Sequence, residues 1–163
     1  MDQPLLVLLL PQRLERFHLE AQTRALLGAP GAVAVEPSRI PLGRVPASLA
    51  AGLAVGQARR MRLPGTPAAV AILHPLQFYL GGALLARHPR AELWYGEPDL
   101  SGERTAAGPR ARARLEQLHA AAAVRAALRF RATEDLDLAP LQVRMVELGI
   151  PGGLSAPPSA PAA

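Results

Sequence analysis

Apolar runs of strand length alternate with helix-like segments along most of the chain, and this alternation constrains the fold more than any other feature. The first run, LLVLLL at residues 5–10, is continuously apolar, as is typical of a strand buried on both faces of a parallel sheet. Further strand-like runs occupy residues 32–36, 68–73, 91–96 and 127–132. We therefore expect an α/β fold: a Rossmann-like, doubly wound parallel sheet of five to six strands, in three layers.

Apolar residues at helical spacing predict the segments between these strands. The expected helices are a first one that Gly28 ends, then residues 47–62, 76–87, 109–127 and 134–149. This arrangement makes residues 1–153 one Rossmann-like domain. Residues 154–163 are proline, alanine and serine almost throughout, so we expect a tail or a truncated linker there.

Composition excludes several classes of protein. The absence of cysteine removes disulfides, thiolate metal sites and cysteine nucleophiles. No stretch reaches the roughly 20 apolar residues of a transmembrane helix, and an acid at Asp2 is unlike a secretory signal, so we expect a cytoplasmic protein. The apolar stripe of the first helix leaves weak contact with a membrane surface open, although packing on the sheet explains it more simply.

The net charge of +5 comes entirely from arginine, because the chain has no lysine. A GC-rich genome, such as that of a GC-rich bacterium, explains this bias as well as any binding function does. The basic runs at residues 58–62 and 110–114 contain no aromatic residues that would stack on bases. We therefore expect no nucleic-acid partner.

Familiar cofactor motifs are absent from the sequence. The first strand is followed by PQRLER rather than a glycine-rich phosphate loop, and there is no P-loop lysine. No serine lies in a nucleophile elbow, and the histidines and acids lack the spacing of a zinc helix. The sequence predicts neither a cofactor nor a metal.

In an open parallel sheet, ligands bind beyond the carboxyl ends of the strands. The polar residues that we expect there, as candidates for binding, are Arg13, His74, Gln77, Glu97, Asp99 and Thr133. Four of them have a structural alternative: His74 before Pro75 suits a helix cap, Thr133 suits a helix N-cap, and Glu97 and Asp99 suit solvated loop acids. We expect His119 to be a surface residue.

The order of these motifs resembles that of one known family. After its third strand the chain has an HP exit and a glycine-containing helix, and its fourth strand ends in LWYGEPD. A long helix with LEQLHAAAA, the strand LRFRAT and an acidic helix start follow. From Leu5 to about Gly153, this pattern resembles the N-terminal half of a GT-B glycosyltransferase of the retaining, glycosyltransferase 4-like kind.

This resemblance implies the acceptor-binding half of an enzyme that uses a sugar nucleotide as donor. The acceptor would be a carbohydrate or a lipid-linked molecule, oriented by the six candidate residues. The family's donor-side signature, two glutamates eight positions apart, is absent from the nine glutamates of the chain. We therefore expect no activity without a donor-binding domain or subunit.

Two other hypotheses remain at this point. The chain is alternatively a non-catalytic Rossmann-like binding or interaction module, which predicts an exposed apolar patch. In the third hypothesis the chain is a small enzyme that uses Glu97 or Asp99 as general base, which requires a closed site around that carboxylate.

Overall fold

The described part of the chain forms a five-stranded, all-parallel sheet. A computed structural model describes residues 2–11, 28–37, 42–131 and 139–152. The strands are β1 (Pro4–Leu9), β2 (Ala32–Val35), β3 (Thr66–Ile72), β4 (Glu92–Glu97) and β5 (Leu128–Arg131), in the order β2-β1-β3-β4-β5. The α/β class and the Rossmann-like, doubly wound sheet predicted from the sequence are thus confirmed.

Five α-helices and two short 3₁₀ helices accompany the sheet within the described residues. The α-helices are α1 (Ala47–Arg60), α2 (Phe78–Arg87), α3 (Ser101–Ala106), α4 (Pro109–Arg125) and α5 (Ala139–Glu147). The 3₁₀ helices are Leu42–Arg44 and Pro75–Gln77. The sequence did not predict α3, because six residues are too few to show an apolar periodicity. None of these helices is long and apolar enough to cross a membrane.

Several sequence predictions fall outside the described residues. They are the first helix before Gly28, with Arg13, and the acidic helix start at Thr133, together with the tail at 154–163.

One face of the sheet packs against α5. Side chains alternate along a strand, so the even-numbered leucines of β1 and the residue after it, Leu6, Leu8 and Leu10, share this face with Trp94. Leu141 and Met145 of α5 cover them and are almost fully buried. Their spacing of four places both on one side of the helix.

The other face packs against α1, α2 and α4. Val7, Leu9 and Ile72 belong to this cluster, and Tyr95 lies in it fully buried. The buried side of α1 consists of Ala50, Ala54 and Ala58, whose small side chains allow the helix to lie close to its neighbours. Helices on both faces bury β1 from Leu5 to Leu9, which explains its continuous apolar sequence.

An ion pair ties α5 to the start of β4. Arg144 donates two hydrogen bonds to Glu92, one of them from Nε to Oε2 at 3.0 Å, and Trp94 donates from Nε1 to the same oxygen at 3.3 Å. Only 18 % of the Glu92 side chain is exposed. These hydrogen bonds, with that from Arg144 contributing most, lower the pKa of Glu92 below its ordinary value.

We predict that Gly96→Ala destabilises the fold while Gly52→Ala does not. A Cβ at Gly96 would lie 2.7 Å from Leu73 Cδ2 and 2.7 Å from Phe130 Cε2, inside the sheet's packing. Overpacking of this kind costs about 1–3 kcal/mol. Gly52 is exposed in the middle of α1 with no atom near its missing Cβ, so alanine there should stabilise by about 0.5–1 kcal/mol. Urea unfolding measures both; equal effects at the two sites would contradict the packing described for β4.

We also predict that Glu92→Gln lowers stability at neutral pH by about 1–3 kcal/mol. Because the folded-state pKa of Glu92 is lowered, its contribution is complete above the ordinary pKa and is lost as the pH falls through the lowered value. The difference between wild type and variant should therefore shrink in acid. Glu147→Gln is the control, since Glu147 bonds the same Arg144 but is 53 % exposed. Urea unfolding across the acid range measures both, and a difference that grows in acid would contradict the assignment.

Candidate functional site

The carboxyl ends of β1 and β3 meet at the point where the strand order reverses. The chain leaves β1 for β2 on one side, whereas β3 lies on the other side of β1. The two ends are level, because Leu9 pairs with Ile72 in the register. In open parallel sheets a crevice forms at such a point, and ligands bind there.

Gln77 occupies this point and joins the two strand ends. Its Nε2 donates to the carbonyl oxygen of Leu9 at 2.9 Å. Its Oε1 accepts from the backbone N–H groups of Leu73 at 2.7 Å and His74 at 3.1 Å. One amide side chain thereby bonds three backbone groups at the ends of β1 and β3, so it fixes the shape of the backbone at this edge.

His74 follows β3 and has both ring nitrogens engaged. Its Nδ1 accepts from the N–H of Leu76 at 3.1 Å, which completes a capping box with Gln77 around the 3₁₀ helix Pro75–Gln77. Its Nε2 lies 2.8 and 2.9 Å from the two carboxylate oxygens of Glu103. Since Nδ1 accepts, the proton of the neutral ring lies on Nε2 and is donated to Glu103. The capping alternative for His74 is correct, and the ring also has a second partner.

Glu103 comes from α3 and is 51 % exposed, whereas the His74 side chain is only 15 % exposed. The next residue, Arg104, forms an ion pair with Glu116 of α4, so α3 is held between the end of β3 and α4. The hydrogen bond from Arg104 lowers the pKa of Glu116. A short helix is thus fixed by two side chains that point to different neighbours.

Glu97 and Asp99 each have a separate partner. Glu97 is the last residue of β4 rather than a loop residue, and Arg129 of β5 donates to its Oε1 from both Nε, at 2.6 Å, and Nη2. Asp99 is exposed, and its Oδ1 accepts from the N–H of Ser101 at 3.0 Å at the start of α3. That hydrogen bond lowers the pKa of Asp99. Within the described residues, neither carboxylate is enclosed in a site.

Tyr95 and His119 connect β4 to α4 beside these groups. The Tyr95 hydroxyl lies 2.7 Å from Nδ1 of His119, and the two rings meet edge to face. Burial raises the pKa of Tyr95, so the hydroxyl keeps its proton and donates it to His119. His119, which the sequence predicts at the surface, is only partly exposed, and its ring is held by this contact with Tyr95.

The structure thus brings His74 and Gln77 together with a residue that sequence reasoning did not select, Glu103. Glu103 lies in the first turn of a short helix, where acids commonly stabilise the helix start, so the sequence did not indicate its contact with His74. Arg13 and Thr133 lie outside the described residues. Within residues 2–11, 28–37, 42–131 and 139–152, no group of three or more histidines and acids is arranged to hold a metal ion.

Comparison with known proteins adds no further assignment. No family model, no curated protein and no solved structure matches this chain. The description of the site therefore depends on its own geometry.

We predict that Gln77→Glu destabilises the protein by about 2 kcal/mol or more, because it places a carboxylate oxygen against the carbonyl oxygen of Leu9. Gln117→Glu is the matched control, since Gln117 is exposed on α4 and should change stability little. Thermal and urea unfolding measure both variants. If Gln77→Glu were as mild as the control, Gln77 would not be the link between β1 and β3.

Proposed function

We propose that this chain is the acceptor-binding half of a retaining glycosyltransferase, with the sugar-nucleotide donor held by a second domain or subunit. It would work in the cytoplasm, on a carbohydrate or lipid-linked acceptor, and without a nucleic-acid partner. The family resemblance in the order of the motifs supports this proposal. So does the position of the polar groups at the carboxyl edge of a doubly wound sheet.

The observation that carries the proposal is the pair formed by His74 and Glu103. The ring is fixed by the N–H of Leu76 on one side and by the carboxylate on the other. Glu103 is half exposed, so its oxygens can accept further hydrogen bonds from outside the protein. A fixed, exposed carboxylate at a ligand-binding edge suits the hydroxyl groups of a sugar, which are hydrogen-bond donors.

The remaining candidates have binding roles in this proposal. Gln77 shapes the base of the site through its three backbone hydrogen bonds. Glu97 ends β4 and Asp99 lies two residues before α3, where they would contact the outer part of an acceptor. Arg13 and Thr133 keep their proposed acceptor-binding roles from the sequence. Transfer requires donor and acceptor in one closed cleft, so this half alone would bind without catalysing.

A non-catalytic interaction module is the second candidate, and one observation favours it. Val143 and Val146 lie three residues apart on α5, with 58 % and 71 % of their surfaces exposed. Exposed apolar side chains on one side of a helix are typical of a surface that contacts another protein. In this alternative the carboxyl edge has no ligand of its own.

We predict that neutral sugars bind weakly at the carboxyl edge. His74→Gln should lower their affinity by about fivefold or more, which corresponds to the loss of one hydrogen bond. Glucose, mannose and galactose are titrated into ¹⁵N-labelled protein. Backbone amide signals of residues 73–77 and 101–106 should shift, because the sugar would change the environment of Glu103.

His88→Gln is the control for this titration. His88 follows α2, at the opposite edge of the sheet, and should leave sugar binding unchanged. The proposal fails if no sugar shifts the signals of this edge, or if His74→Gln binds as tightly as the wild type does.

A further inference from the structure

Arg114 joins three elements at the same edge of the sheet. It lies in the second turn of α4, and its Nε donates to the hydroxyl of Tyr79 in the first turn of α2 at 2.8 Å. Its Nη1 donates to the carbonyl oxygens of Val45 at 2.6 Å and Gly43 at 3.3 Å. Helices that follow parallel strands begin at the carboxyl edge, so this cluster lies on the side of the sheet where His74 lies.

All the acceptors that Arg114 contacts among the described residues are neutral. Three other arginines of the described chain, Arg104, Arg129 and Arg144, each bond a glutamate. For Arg114, by contrast, no carboxylate of the described residues lies within ion-pair distance. A partly buried cation bonded only to carbonyl and hydroxyl oxygens lacks the counter-charge that usually accompanies burial.

The guanidinium group also has an unused donor. Nη2 of Arg114 is buried and makes no hydrogen bond within the described structure. Buried polar atoms without a partner are uncommon in folded proteins, because they lose their hydration and gain nothing in return. Here the orphan atom belongs to a cation, so the group that would satisfy it best is an anion.

Tyr79 provides a second donor at this point. Its hydroxyl oxygen accepts from Arg114, which leaves the hydroxyl proton available, and that proton has no acceptor among the described residues. The guanidinium carbon lies 5.3 Å from the centre of the Tyr79 ring, a contact that holds the cation in place. Arg110 precedes Arg114 by about one helical turn, and Arg44 lies between the two carbonyls that Arg114 bonds. Both arginines are exposed, so two further positive charges neighbour the cluster along the chain.

We propose that Arg114 and Tyr79 bind a phosphate group, and that the segment at residues 43–45, whose carbonyls bond the neighbouring Nη1, covers the unused Nη2 when no ligand is bound. Phosphate oxygens would accept from Nη2 of Arg114 and from the hydroxyl of Tyr79, and the segment at residues 43–45 would move away from the guanidinium. This inference depends on the proposed function, because it specifies the acceptor as a molecule that carries a phosphate close to its reacting hydroxyl.

The test is a titration of the whole chain with inorganic phosphate, glucose 6-phosphate and UDP, followed by NMR. The expected result is a shift of the Arg114 Nε–H signal and of the amide signals of residues 43–45. Arg114→Gln should weaken binding about tenfold or more, since it removes a charge-assisted hydrogen bond. Arg112→Gln removes the same charge from an exposed position of the same helix and should change the affinity little.

The three ligands distinguish the sources of the phosphate. Tighter binding of glucose 6-phosphate than of inorganic phosphate supports a phosphorylated acceptor, as proposed here. Tightest binding of UDP would overturn the acceptor assignment and give the site to the diphosphate of the donor. The anion site itself is overturned if no anion shifts the Arg114 signal, or if Arg112→Gln weakens binding as much as Arg114→Gln does.

A second variant and a neutral ligand complete the test. If Arg114→Gln does not fold, Tyr79→Phe is measured instead: about threefold weaker phosphate binding supports the proposal, and unchanged affinity overturns it. Neutral glucose separates the two proposals. If phosphate binds but glucose shifts no signal near His74, only the proposed function is contradicted. If glucose shifts those signals but phosphate does not bind at Arg114, only the anion site is contradicted.

Discussion

The hydrogen bonds of the Gln77 side chain are the constraint on which the carboxyl edge depends. Its amide joins the last carbonyl of β1 to the first two N–H groups after β3, across the point where the strand order reverses. The same residue closes the capping box that orients His74. Without this link the turn after β3 would not be fixed relative to β1, and the backbone that carries His74 would lose its bond to Gln77. The hydrogen bonds of Gln77 to the backbone therefore set the positions of the side chains that could contact a ligand.

The other polar side chains at this edge differ in whether they keep a hydrogen-bonding atom free for a ligand. Glu97 and Asp99 are committed to Arg129 and to the N–H of Ser101, which explains their presence without a ligand. The Glu103 side chain is half exposed besides its bond to His74, and Arg114 has a buried donor without a partner in the part of the chain that the structure describes. An exposed acceptor and an unsatisfied cation near one edge suit a polar, anionic ligand better than an apolar one.

The sequence predicted the sheet well because its signals are local. Continuous apolar runs such as Leu5–Leu10 indicate strands buried on both faces, and the structure has them at nearly the expected positions. The partners of the site could not be predicted in this way. Glu103 meets His74 across 29 residues and Arg114 meets Val45 across 69, and no periodicity specifies such contacts. Likewise, nothing near His119 indicated its bond to the buried Tyr95.

The most direct test of this account is the tautomer of His74, measured from the ¹⁵N signals of its ring at neutral pH. We expect a proton on Nε2 and none on Nδ1, because Nδ1 accepts from the backbone and Nε2 donates to Glu103. We also expect the Nε2 signal to change when a sugar ligand is added. A ring protonated on Nδ1, or one that exchanges freely between tautomers, would contradict the fixed pair on which the proposed acceptor site depends.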